Sequence, residues 1–175
     1  GADSLANNDI EIQYPFFKYL QPYPIQNTQD VPGPVIGVAQ FKDTAKVNTY
    51  LRTAVERNAV PRDMRFMWSA KAIVDKDKKP TNTFELYAIK ITGRDGRAPL
   101  DGDAVTDARM EMDPVKGSAY VSMSMNAEGA TTWARLTSQN LQQCIAIVMD
   151  NMVYSAPVVQ SEITGGNSQI SGNFT

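Results

Sequence analysis

The chain has 175 residues, with 17 basic against 19 acidic side chains, a net charge of −2 and a 42% hydrophobic share. That balance lacks the basic face of a nucleic-acid binder and the polybasic cluster that draws a protein to anionic lipid, while it leaves enough apolar side chain for a core. No stretch approaches the roughly 20 consecutive apolar residues needed to cross a bilayer, so no membrane span is expected within the chain.

Residues 2–31 are weakly patterned, with amides interspersed among Pro15, Pro22 and Pro24. The cluster Pro15-Phe16-Phe17-Lys18-Tyr19-Leu20 suits a short helical turn, because proline is tolerated at a helix start, and it reads as an aromatic plug in a surface-hugging lead. A β-α-β-β pattern follows. Residues 35–41 hold the branched side chains of a strand, and Asp43 is placed to cap the next helix through its carboxylate. Val47, Leu51, Ala54 and Val55 fall on one helical face, expected to be buried, and Pro61 stops the helix. Residues 64–74 predict a strand with Met64, Phe66 and Trp68 on one side. The charged run 75–82 reads as a solvated turn and 84–91 as the return strand.

Residues 93–103 are built from turn formers. A β-rich half then begins, with a hairpin of strands 105–112 and 119–125. Asn126 is a cap for a helix over 127–140, with Ala130, Trp133, Ala134 and Leu141 roughly on one face. Residues 145–149 predict a central strand, Asp150-Asn151 a two-residue turn in which both residues tolerate positive φ, and 153–159 the returning strand. After Gly165-Gly166-Asn167, residues 169–174 form a last short strand.

The chain has no histidine and one cysteine. That removes Ser-His-Asp and Cys-His nucleophile pairs, the commonest zinc ligand, thiolate clusters and any internal disulfide. Neither phosphate-loop nor dinucleotide glycine motif occurs, and Gly33-Pro34-Val35-Ile36-Gly37 reads as a simple turn into a strand. Asp95, Asp101, Asp103 and Asp107 crowd one stretch but lack the order of a calcium loop. No catalytic centre, cofactor or metal is expected. Cys144, in an apolar pattern without a basic neighbour, reads as a small buried hydrophobe. Tyr50, Phe66, Trp68, Tyr87 and Trp133 lie in amphipathic elements and suit core packing; the other reading is a shallow apolar surface for extended peptide, which eight adaptable methionines would favour.

Val121-Ser122-Met123-Ser124-Met125-Asn126-Ala127-Glu128-Gly129, Leu136-Thr137, Ile145-Ala146-Ile147-Val148-Met149-Asp150, Val153-Tyr154-Ser155-Ala156-Pro157, Ile163, Gly165-Gly166 and residues 170–175 resemble, in order and spacing, the signature of the SecD family of the Sec protein-export machinery. Asn151 stands where that family usually has glycine, a substitution the left-handed conformation tolerates. Gly33 to Ala39, Asp43 to Val47 and Arg65 to Trp68 resemble the longer insert of fused SecD–SecF chains. The resemblance implies an α+β fold of two small lobes, with ferredoxin-like elements and an antiparallel-rich sheet carrying helices on one face. It divides the chain into an extended lead (1–31), a head-like β-α-β insert (32–79) and a base-like β-rich subdomain (80–175) incomplete at both ends.

It further implies a non-enzymatic domain on the periplasmic side of the bacterial inner membrane, part of a multi-pass membrane protein. Its partners would be unfolded preprotein, a SecY-type channel and other Sec membrane subunits, and the proton-carrying residues would belong to membrane helices outside this chain. The alternative is a docking module that touches those subunits and no substrate. Phe41, Tyr50, Met64, Met67 and Trp68 are the candidate polypeptide contacts. The resemblance also implies base strands before Gly1 and a helix after Thr175. Apolar sheet surface, with Val153, Val158 and Ile170 as candidate members, would then be covered by self-association or by residues 10–20.

Overall fold

In the computed structural model, which describes residues 13–23, 33–93, 96–114 and 119–171, the chain enters through a 3-10 turn, Pro15–Lys18, and a two-residue strand, β1 (Gln21–Pro22). There follow β2 (Val35–Gln40), a 3-10 turn (Phe41–Asp43), α1 (Thr44–Glu56), β3 (Met64–Ser69) and β4 (Thr83–Lys90). The remainder is β5 (Val105–Met112), β6 (Ala119–Met125), α2 (Ala127–Gln139), the hairpin β7 (Ile147–Met149) and β8 (Met152–Ser155), and β9 (Asn167–Ser171). The fold is α+β and antiparallel-rich. Contacts divide the chain into two units, residues 1–90 with 148–154 and residues 91–147 with 155–175.

The first unit is a six-stranded sheet in the order β1-β2-β4-β3-β8-β7. β4 lies between β2 and β3 and is antiparallel to both, so β2-α1-β3 is a split crossover with the third strand in the gap, the first half of a ferredoxin-like arrangement. Cross-strand register puts Gly37 beside Leu86 and Leu86 beside Trp68. Leu86 and Val47 of α1 are both fully buried, and Leu20 and Ala39 complete the core, flanked by Phe16, Tyr19, Leu51, Phe66 and Trp68. The Trp68 indole N–H donates to Asn48 Oδ1 at 2.9 Å, which ties β3 to α1. The expected apolar face of α1 is only partly buried. Val47 is enclosed, Leu51 half-buried and Val55 48% exposed. Four-residue steps advance about 40° around a helix, so Val55 has turned well away from the sheet that Val47 faces.

Several boundaries differ from the sequence reading. Asp43 makes no capping hydrogen bond, because the chain enters α1 through the 3-10 turn and Asp43 already has helical φ and ψ of −97° and −12°. Instead the Thr44 hydroxyl donates to the Phe41 carbonyl at 2.8 Å. The strand expected over 64–74 ends at Ser69, and Val74 makes only an isolated bridge to Pro80. The lead contributes β1 to the sheet, where Gly37 is required. A Cβ on Gly37 would lie 2.6 Å from the Gln21 carbonyl oxygen and 3.0 Å from Leu20 Cγ. The division between units falls after Lys90, rather than between 79 and 80, because β4 is hydrogen-bonded on both sides within the first sheet.

The segment read as a central strand is the outermost one. β7 has only three residues and ends the sheet order, with Val148 and Met149 exposed. Its partner β8 joins β3 in parallel, and the Ala70 N–H donates to the Val153 carbonyl at 2.8 Å. Asp150 and Asn151 turn the hairpin with φ of 51° and 59°, the conformation expected of them.

The second unit is a three-stranded antiparallel sheet, β5-β6-β9, with α2 packed against β6 and with Ser168 and Ile170 of β9 buried. Asn126 caps α2 as expected, its Oδ1 accepting from the Gly129 N–H at 2.8 Å. The buried stripe of α2 is Gly129, Trp133, Leu136 and Thr137; Ala130 and Ala134 are half-buried, and Leu141 lies beyond the helix end and is exposed. Thr137 donates its hydroxyl to the Trp133 carbonyl at 2.8 Å and accepts from the Ile163 N–H at 3.0 Å, so a fully buried hydroxyl is satisfied on both counts. Cys144 is half-buried, and burial pushes its thiol up from the ordinary value, which leaves little reactive thiolate. Of the three residues expected on an uncovered sheet surface, Val153 and Ile170 are buried and Val158 is exposed. The end of the last strand, expected to run to residue 174, the start of the lead and Asp95 lie outside the described residues.

Two measurements check this account of the first unit. Leu86→Ala is expected to lower stability by about 2–5 kcal/mol, the range for a buried leucine, read from urea unfolding; an unchanged midpoint would place the core elsewhere. Gly37→Ala is expected to undock the lead, because its new methyl meets a backbone oxygen. The Tyr23 amide, which donates to the Ile36 carbonyl at 3.1 Å, should then exchange faster and cleavage after Lys18 should accelerate. Unaltered exchange at Tyr23 would contradict the close approach.

Candidate functional site

The five residues expected to meet polypeptide all lie in the first unit, but not on one surface. Phe41, 69% exposed, begins the 3-10 turn before α1, and its ring centroid lies 5.9 Å from that of Phe84. Tyr50 stands on α1, edge-on to Phe16 at 5.7 Å and tilted against Tyr19 at 6.2 Å. Met64 and Trp68 are half-buried on the side of β3 that faces α1, with the indole N–H held by Asn48. Met67 alternates to the opposite side, opposite Tyr87 in register.

Tyr50 belongs to a chain of rings that runs from Tyr14 through Phe17 and Phe16 to Tyr50 and Tyr19. The 3-10 turn carries two of these rings, Phe16 and Phe17; proline fixes its first φ, and Phe16 meets Tyr50 of α1. Phe16, Tyr50, Leu51 and Ala54 line a cavity of about 250 Å³. Its walls are hydrocarbon and aromatic carbon, so it can accept an apolar side chain.

The second unit carries a surface that the sequence reading passed over. Met110 and Met112 of β5 are 69% and 63% exposed. Their signal is the alternation in 109–112, where methionines alternate with Arg109 and Glu111; reading 105–112 as a hairpin strand assigns neither side to solvent. On the other side of β5, Arg109 Nε lies 2.9 Å from Asp107 Oδ2, and the Tyr120 hydroxyl donates to Glu111 Oε2 at 2.6 Å. That hydrogen bond, followed by desolvation and the charges of Glu111 and Asp113, pushes the Tyr120 phenol above its ordinary value. Among the described residues no three His, Cys, Asp or Glu side chains gather in a metal-holding group. Asp101 instead accepts from the Gly102 N–H at 2.7 Å as part of a turn. No helix among the described residues is long and apolar enough to cross a membrane.

A family model described as the SecDF P1 head subdomain matches residues 75–175. That stretch includes the residues for which the sequence reading expected a base, and only 75–79 of the segment expected to be head-like. The protein translocase subunit SecD of Rhodothermus marinus is 40% identical over 141 residues, covering 80% of this chain and 21% of that protein. The SecD subunit of Syntrophobacter fumaroxidans is 33% identical over 138 residues, covering 70% of this chain and 26% of its own length. A solved structure of SecDF, described as a membrane component that enhances protein export, is 22% identical with a TM-score of 0.44, covering 77% of this chain and 62% of that one. The chain thus spans about a fifth to a quarter of the length of these two relatives. With more than half of its length matched by the family model, the chain belongs to the family of SecDF P1 head subdomains.

Proposed function

We propose that this chain is the exported-side domain of a Sec translocase accessory subunit, standing on the periplasmic face of the bacterial inner membrane. In this reading it assists translocation by transiently holding unfolded preprotein as that emerges from a SecY-type channel, beside the other Sec membrane subunits. The observation that carries the reading is the family match over residues 75–175, joined by 40% identity to a relative named as a protein translocase subunit. Two physical features support it. The chain lacks histidine and has one cysteine, which removes the Ser-His-Asp and Cys-His pairs and favours a binding role. It also leaves apolar side chains open to water in both units, Phe41 and Tyr50 in one and Met110 and Met112 in the other, and such side chains suit varied apolar sequences. The head role falls to the stretch 75–175.

The test is a titration of the chain with a reduced, carboxymethylated protein that cannot fold, followed by fluorescence anisotropy, with the same protein in its native state as control. Saturable binding to the unfolded form and none to the native form is expected. No binding to either would leave only a docking role among the membrane subunits.

A further inference from the structure

Among the described residues the sheet of the second unit has two edges, β5 and β9, and they differ. β9 has five residues, and its Ser168 and Ile170 are buried. β5 has eight residues, all exposed except Val105. Exposed edges are normally protected by short length, charged side chains, proline or a bulge. The charges of β5, on Asp107, Arg109 and Glu111, leave Met110 and Met112 between and beside them uncharged. β5 contains neither lysine nor proline, and its one irregularity, between Val105 and Asp107, leaves the rest in regular register with β6. Register also aligns Met110 with Val121 and Val121 with Ile170. Exposure falls steadily along that row, from 69% at Met110 through a half-buried Val121 to 5% at Ile170. The β9 end of that row is therefore covered and the β5 end is bare.

We propose that β5 is the seat of the bound polypeptide: an extended segment adds to its free edge as a further strand, with alternate apolar side chains resting on Met110 and Met112 and a lysine or arginine facing Glu111. The inference rests on the reading of the chain as a binder of unfolded polypeptide, and it names where and how that binding occurs. A free strand edge presents backbone N–H and C=O groups that any extended chain can satisfy whatever its sequence. Methionine, unbranched and polarisable, accommodates side chains of different shape. Charge selects the occupant. Asp107 and Arg109 are paired at 2.9 Å, while among the described residues the Glu111 carboxylate is met by a neutral donor, the Tyr120 hydroxyl. The strand is thus net negative and favours a basic partner over a second copy of itself.

The experiment uses the full chain and a fluorescein-labelled peptide of eight residues, the length of β5, alternating valine with lysine. Hydrogen exchange is read on residues 105–112 with and without peptide, and binding is compared for the double variant Met110→Lys, Met112→Lys and for Phe16→Ala with Tyr50→Ala. The expected result is slowed exchange at alternate amides of β5, the outward-facing half, and a loss of about tenfold or more in affinity for the methionine variant alone. Exchange in the unaltered chain needs no variant, so misfolding of a variant cannot hide the answer. Binding that leaves β5 amides unprotected, or that is lost only in the aromatic variant, overturns the proposal while the function stands. A dimer by light scattering with β5 protected in the absence of peptide also overturns it, in favour of a second copy. Failure of both the carboxymethylated protein and the peptide to bind overturns the functional reading and this proposal with it.

Discussion

Leu86 is fully buried at the middle of β4, and the first unit is arranged around that strand. β4 is hydrogen-bonded to β2 on one side and β3 on the other, so removing it would orphan two rows of backbone groups at once. Its register sets Gly37 and Trp68 beside Leu86, and these neighbours fix the layer above. The bare Cα of Gly37 admits the lead and so lets Leu20 into the core, while Trp68 reaches Asn48 and anchors α1. Sequence, register and packing meet at this one strand.

The local parts of this fold were legible. Branched residues marked β2, the Val47 periodicity marked α1, Asn126 capped α2, and Asp150-Asn151 turned a hairpin with positive φ at both residues. Each of these is decided within a few residues of chain. What sequence pattern could not supply was partner choice between distant segments. The β7–β8 hairpin lies in an apolar run and so reads as a core, yet its docking against β3 through a parallel pairing at Trp68 and Ser69 puts β7 at the rim. The boundary between units is a different case. Residues 84–91 read as the return strand of the first β-α-β-β pattern, and β4 is indeed paired on both sides in that sheet; the division between 79 and 80 is implied by the resemblance alone. Asp43 failed as a cap for a different reason: the 3-10 turn before it already gives it helical dihedrals.

The candidate surface was legible in part. Exposure of Phe41 and Tyr50 agrees with amphipathic elements that turn one side to water. Trp68 sits in the core margin, where its indole N–H finds a side-chain partner, and Met67 lies across the sheet from it. Met110 and Met112 were in plain view as an alternating pattern, but alternation cannot say which face a helix will cover. That depends on how distant elements pack across the sheet, and the row from Met110 to Ile170 records where the cover ends.

The proposed contact with polypeptide during export can be caught by photo-crosslinking from position 110 in the intact membrane protein while a preprotein is arrested in the channel. A crosslinked adduct between this domain and the preprotein, present only during arrest, is expected. Adducts with other membrane subunits alone, whether or not a preprotein occupies the channel, would contradict it.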